Sequence, residues 1–115
     1  MSEVPIGPEA NHDGDFLVAI EGGRPLRSVV RLRGDIDLAV APRLSKCLVD
    51  LAAVGDVVVD MADMRFIDST GMGALVMARK AVHAHGGEIS LRNLAPNVAK
   101  TMALAGLDKV FAIDG

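Results

Sequence analysis

Three places in this chain bring together side chains that could do chemistry. The first is Asp68-Ser69-Thr70-Gly71, which follows the apolar pair Phe66-Ile67 and leads into the helix-forming run Ala74-Leu75-Val76-Met77-Ala78-Arg79-Lys80-Ala81. A hydroxyl at such a junction sits where several backbone N–H groups have no partner inside the helix. That place favours negative charge, such as a phosphate. Ser69 is therefore a candidate switch residue, needing only exposure and a kinase to be modified. One of Asp68, Ser69 and Thr70 is also expected to cap the helix, a role worth ~1 kcal/mol. The second place is Asp35-Ile36-Asp37, whose two carboxylates share one side of an extended chain. They suggest acid–base chemistry, a metal, or a polar loop between strand and helix. The third is scattered. Cys47 lies beside an apolar helical stripe and reads as a small core residue. His83 and His85 are two apart, do not share a helix face, and read as surface histidines, not as a metal pair.

Several chemistries are excluded by the same residues. Ser69 is no nucleophile of the Gly-x-Ser-x-Gly kind, because Asp68 precedes it and Ile67 stands where the glycine should be. No histidine is placed to act as its base. Phe66-Ile67-Asp68-Ser69-Thr70-Gly71 has an outward likeness to the aspartic protease signature. Two hydroxyl residues separate Asp68 from Gly71, however, where that signature has one, and those proteases are mostly strand. No Gly-x-x-x-x-Gly-Lys-Ser/Thr loop and no Gly-x-Gly-x-x-Gly occur, and Gly71-Met72-Gly73 is too short to cradle phosphates alone. No cofactor is expected.

The elements that must position these residues follow from periodicity. Residues 1–14 read as a flexible N-terminal tail, and residues 15–115 as one domain. Phe16–Ile20 and Ser28–Arg33 read as strands joined across the turn Gly22-Gly23-Arg24-Pro25, antiparallel, with Val30 and Leu32 inward and Arg31 and Arg33 outward. Gly34-Asp35-Ile36-Asp37 ends the second strand. A helix over Ala41–Val54 tolerates Pro42 in its first turn and carries the stripe Val40, Leu44, Leu48 and Leu51. Gly55 closes it as a left-handed cap. Val57-Val58-Val59 is a strand buried on both faces, and residues 60–64 carry the chain to the Asp68 motif. The next helix runs from Gly71 to about His85, with a small-residue face of Ala74, Ala78, Ala81 and Val82, and Gly86-Gly87 terminates it. Glu88–Arg92 alternates as a strand. Asn93 caps a last helix with Pro96 in its first turn, Gly106 stops it, and Val110–Ile113 is a final strand. The order β-β-α-β-α-β-α-β predicts an α/β domain. Its sheet is mostly parallel after an N-terminal antiparallel hairpin, with helices packed on it.

Composition narrows the partners. The 115 residues are 50% hydrophobic and only 3% aromatic, so the core is aliphatic and stacking platforms for single-stranded nucleic acid are missing. A formal net charge of -3 also argues against nucleic acid. No apolar run approaches the ~20 residues of a membrane span. Met1-Ser2-Glu3-Val4-Pro5 lacks the regions of a signal peptide, and one cysteine fits a reducing compartment, so a cytoplasmic location away from membranes is expected.

From Phe16 to Ile113 the chain resembles the STAS domain, in the form of the bacterial anti-sigma factor antagonists. The most specific likeness is Met64-Arg65-Phe66-Ile67-Asp68-Ser69-Thr70-Gly71-Met72-Gly73, similar to that family's aromatic-apolar-Asp-Ser-Ser/Thr-Gly-Leu-Gly. Gly34-Asp35-Ile36-Asp37, Gly86-Gly87-Glu88 and Ala105-Gly106-Leu107 add to it, with Asp35 for the usual Glu and Met72 for the usual Leu as departures. The resemblance implies a regulatory binding module and not an enzyme. The unphosphorylated form would bind an anti-sigma factor serine/threonine kinase and free a sigma factor. Phosphorylation at Ser69 would end that binding, and a PP2C-type phosphatase would restore it. The resemblance places the partner surface at Asp35, Asp37, Asp68, Thr70, Gly71, Met72, Gly73 and Val76, with Met72 and Val76 supplying apolar contact. Two other readings differ in class. One is a STAS subunit of a larger signalling or lipid-transport assembly without a phospho-switch. The other is an enzyme using Asp35, Asp37 and Asp68, with a metal.

Overall fold

In the computed structural model, which describes residues 4–6, 14–22 and 26–114, the two alternating segments extend into β2 (Asp15–Glu21) and β3 (Arg27–Ile36). They pair antiparallel from Asp15↔Arg33 to Glu21↔Arg27. Val30 and Leu32 are fully buried, whereas Arg33 is exposed and Arg31 half-buried, as alternation requires. Outside them lies β1 (Val4–Ile6), antiparallel to β2, within the stretch read as a tail from sequence. Gly14, at the end of that stretch, is packed as well: a Cβ there would fall 1.8 Å from the Asp35 carbonyl oxygen. The remainder of the expected tail, 1–3 and 7–13, and residues 23–25 of the expected turn lie outside the described residues.

Beyond β3 every pairing is parallel: β3 with β4 (Asp56–Ile67), β4 with β5 (Ile89–Arg92), and β5 with β6 (Ala112–Asp114), so the strands stand in chain order. Parallel neighbours need crossovers, and α1 (Ala41–Leu51), α2 (Ser69–Ala84) and α3 (Pro96–Leu104) supply them. The helices α1 and α2 pack side by side, and α2 lies against β4 and β5. Val40, Leu44 and Leu48 of the α1 stripe are fully buried, and Ala74, Ala78 and Val82 of the small-residue face are buried too. Val57, Val58 and Val59 are all buried, which accounts for the unbroken apolar run: both faces of this central strand are covered.

Five local expectations need correction. The helix α1 ends at Leu51, three residues before Val54. Gly55 is not a left-handed cap; its φ is 159°, and a Cβ would fall 2.1 Å from the Leu26 carbonyl oxygen, so the glycine serves a close backbone approach. Residues 60–64 and 34–36 lie beyond the strand ends read from sequence. They prolong β4 and β3, with irregularities between Arg31 and Arg33 and between Gly34 and Asp35 where β4 carries the extra residue. Asn93 does not cap α3, whose N-cap is Ala95 without a side-chain bond. It is instead a left-handed residue (φ 62°) donating from Nδ2 to Asp60 Oδ1 at 3.2 Å. A 3₁₀ turn, Leu107–Lys109, delays β6 past its expected start.

Asp60 ties these irregularities together. It is buried, and its Oδ1 also accepts from the Ala62 N–H at 3.0 Å, while Oδ2 lies 3.6 Å from Arg92 Nε. Burial alone would raise its pKa. The bonds from Ala62 and Asn93, with Arg92 and Arg31 nearby, outweigh burial and hold it below the ordinary 3.8. Asp60→Ala should therefore destabilise the fold by roughly 1–3 kcal/mol in urea unfolding at neutral pH, because it strands those donors. Since the folded-state pKa is depressed, the gap to wild type should be fully present above 3.8 and shrink as the pH falls through the lower folded value.

Candidate functional site

Parallel pairing brings the carboxyl ends of β3 and β4 side by side, with Asp35 opposite Phe66 and Ile36 opposite Ile67. Asp35, Asp37 and Asp68 thus share one edge of the sheet, where open α/β sheets carry their sites. Asp68 is the N-cap of α2. Its backbone is extended, and Oδ1 accepts from the Thr70 N–H at 2.9 Å, the Gly71 N–H at 3.0 Å and the Thr70 hydroxyl. The Thr70 hydroxyl is the largest influence on the carboxyl. With the two N–H groups it outweighs partial burial and holds the pKa below 3.8.

The three polar side chains of the motif therefore divide their roles. Asp68 satisfies the helix end. Thr70 is half-buried, with its hydroxyl spent on Asp68. Ser69, the first helical residue, is exposed, and its hydroxyl makes no hydrogen bond among the described residues.

Two glycines two residues apart have opposite surroundings. Gly71 is buried, and a Cβ on it would meet the Ile36 carbonyl oxygen and Ile67 Cγ1, each at 2.7 Å. Gly73 is exposed, and a Cβ there would meet nothing within 4 Å. Glycine inside a helix costs up to about 1 kcal/mol relative to alanine, and at Gly73 no packing among the described residues accounts for it.

Asp35 Oδ1 lies 3.4 Å from Arg65 Nη2, while Asp37 Oδ1 accepts from the Ala39 N–H at 3.0 Å and so shapes the turn into α1. Among the described residues no three His, Cys, Asp or Glu side chains form a group that could hold a metal. Burial pushes the Cys47 thiol up to about 11, which leaves it protonated at neutral pH and a poor nucleophile. His83 and His85 are exposed. No helix among the described residues is long and apolar enough to cross a membrane.

The apolar residues read from sequence are less exposed than two of their neighbours. Met72 and Val76 are half-buried and packed on the core. The exposed ones are Leu38, 67% exposed, and Met77, 52% exposed, and they flank Gly73 along a groove of about 230 Å³ between α1 and α2. Thr70 lines its end next to Ser69. A signal for Met77 was present: Ser69, Gly73 and Met77 are spaced by four and share a helix face. Leu38 stood alone in a polar turn and gave none.

Comparison with known proteins agrees with this architecture. The STAS domain family model matches residues 18–114. The anti-sigma-B factor antagonist of Bacillus subtilis (strain 168) is 35% identical over 85 residues, covering 73% of this chain and 78% of that protein. The structure of the anti-sigma factor antagonist SpoIIAA in its unphosphorylated form aligns over 85% of this chain and 87% of its own, at 19% identity and a TM-score of 0.66. The Bacillus cell fate determinant SpoIIAA in the phosphorylated form aligns over 85% and 91%, at 21% identity and a TM-score of 0.65. At those identities the two structures speak for the fold.

Alanine at the two glycines should separate their roles. Both changes gain helix propensity, yet Gly73→Ala should raise stability by up to about 1 kcal/mol, whereas Gly71→Ala should lower it by about 1–3 kcal/mol because the backbone of β3 cannot yield. Denaturant unfolding of the pair reads the sign directly. Asp68→Ala should cost about 1–2 kcal/mol as a lost cap. With a depressed folded-state pKa, that cost should persist at neutral pH and fade only below 3.8.

Proposed function

This chain belongs to the STAS domain family, and on that footing we propose that it is an anti-sigma factor antagonist whose partner binding is switched by phosphorylation of Ser69. The observation that carries the reading is the division of labour at the start of α2. Only Ser69 presents an exposed, unengaged hydroxyl there; Thr70 has given its own to Asp68. Dephosphorylated, the protein docks an anti-sigma factor serine/threonine kinase over the edge formed by Asp35, Asp37 and the first turns of α2, and the sigma factor is freed. Leu38 and Met77 supply the apolar contact, and Gly73 lets the partner backbone come close.

The chemistry of the switch follows from the cap. A phosphate adds about -1.5 to -2 charges. The two N–H groups it would seek at the helix end are already taken by Asp68. The phosphate therefore stays outward, tolerated by the helix dipole and leaving the fold intact. Its charge adds to that of Asp35, Asp37 and Asp68 on the docking surface, where it meets the partner as repulsion and desolvation cost. Removal by a PP2C-type phosphatase reverses the state. The similar SpoIIAA has been solved in both an unphosphorylated and a phosphorylated form, which supports a fold that survives modification.

Incubation with the cognate kinase and ATP, followed by mass spectrometry, should place one phosphate on Ser69 and leave Thr70→Val still modified. Ser69→Ala should bind the kinase and never be released by ATP. Ser69→Glu should bind roughly ten- to a hundredfold more weakly. A phosphate found on another residue, or on none, removes the switch.

A further inference from the structure

Strand β4 ends on a break in alternation. Met64 is buried, Arg65 and Phe66 are both exposed, and Ile67 is buried again. Regular alternation would put Phe66 on the side of Met64, in the core. Pairing with β3 decides otherwise. Gly34 stands opposite Met64 and Asp35 opposite Phe66, so Arg65 is the extra residue of a bulge. Two consecutive side chains thus leave outward, and bulges beside functional sites re-aim side chains in this way. The bulge is held from two directions. The Arg65 carbonyl accepts from Asn97 Nδ2 at 3.3 Å, and Arg65 Nη2 lies 3.4 Å from Asp35 Oδ1. What it displays is unlike the other aromatic residues of the chain. All three are phenylalanine; Phe16 and Phe111 are buried in the core, whereas Phe66 is 52% exposed and stands outside it. Burial is what such a side chain ordinarily gains from folding, and here the backbone departs from regular pairing to the opposite effect.

We propose, on the footing of the phospho-switch above, that Phe66 is the aromatic anchor by which the Ser69 kinase holds this protein, inserted into an apolar pocket beside that kinase's catalytic cleft. The switch itself requires neither the anchor nor the pocket. The occupant follows from the reaction. Phosphoryl transfer needs the Ser69 Oγ in line with the terminal phosphate of the nucleotide, so the kinase must lie over this edge of the sheet. Phe66 is three residues from Ser69, no more than about 11 Å of extended chain. A standard footprint of ~800 Å² per partner spans a disc ~32 Å across, which takes in Phe66 wherever near its centre Ser69 lies. The ring is therefore desolvated when the kinase docks, and binding energy concentrates in desolvated aromatic side chains of that kind. Asp35, directly opposite on β3, and Asp68, two residues on, supply a polar rim. Phe66 does not touch the reacting atoms; its part is to hold the substrate chain in place.

The test measures phosphorylation kinetics at Ser69 on the full chain, with the cognate kinase and ATP. Phe66→Ala should raise KM about ten- to a hundredfold while kcat stays within about twofold. Phe66→Leu should recover most of the loss. Leu104→Ala, which trims an 81% exposed leucine at the far end of α3, should behave as wild type. Circular dichroism checks that each variant is folded. A second readout needs no variant. Titration of the wild-type chain with the kinase and ADP should shift the ring protons of Phe66 in NMR spectra and leave those of the buried Phe16 and Phe111 in place. The proposal is overturned by an unchanged KM in Phe66→Ala, by a loss confined to kcat, by an equal loss in Leu104→Ala, or by Phe66 ring signals that do not move. Those results leave the switch standing where wild type is modified on Ser69 and Ser69→Glu binds weakly. A wild-type chain that the kinase neither binds nor modifies removes both.

Discussion

The carboxyl edge of this sheet depends on how closely α2 approaches the end of β3. Gly71 sits so near the Ile36 carbonyl that a Cβ would fall 2.7 Å from it, and the Asp68 N–H donates to that same oxygen at 3.2 Å. One carbonyl thus anchors both the residue before the helix and its third residue. With those two points held, the rotation of the first turn is set. Asp68 must fold back over its own N–H groups, Thr70 must turn inward, and Ser69 must face solvent. The exposure of one hydroxyl and the burial of the next are consequences of backbone packing, with no special feature of serine or threonine required.

The same anchoring decides what a charge at Ser69 can do. An uncapped helix end would draw a phosphate onto its free N–H groups and convert modification into a local rearrangement. Here Asp68 already occupies them. In the proposed switch, new charge would therefore remain a surface property, felt by whatever docks and hardly at all by the core. A rigid presenting edge suits a binding module regulated by its partners better than a site that must move to work. The far flank of α1 is built on different terms, with an apolar groove lined by Val18, Cys47, Leu51 and Val54 where the Ser69 edge has carboxylates and an exposed leucine and methionine.

Much of this was legible from residue order. Alternation in β2 and β3, the stripe on α1, the small-residue face of α2 and the punctuation by Gly86-Gly87 and Gly106 located the elements, because each reports a local period or a local stop. The failures share a cause. Gly55 and Asn93 were assigned the local roles their residue types favour, a helix cap in each case. Both are instead spent on partners far away in sequence, the Leu26 carbonyl and the Asp60 carboxylate. Residues 34–36 and 60–64 look like polar loops. They persist as strand because β3 and β4 pair through two bulges, one of them stitched by Asp60 to the Ala62 N–H. A three-residue strand such as β1 has too few residues to show a period at all.

The sequence by itself determined the α/β class, the element order after residue 14, the place of the Asp68-Ser69-Thr70-Gly71 motif at a strand-to-helix junction, and Ser69 as its acceptor candidate. These rest on periodicities and on residue types whose backbone preferences are intrinsic. Only the tertiary structure decided which hydroxyl is free, why Gly71 must be glycine while Gly73 need not be, and that Leu38 and Met77 are more exposed than Met72 and Val76. Those are questions of distance between segments some thirty residues apart, set where α2 meets β3 and α1, and nothing in a local pattern encodes that distance.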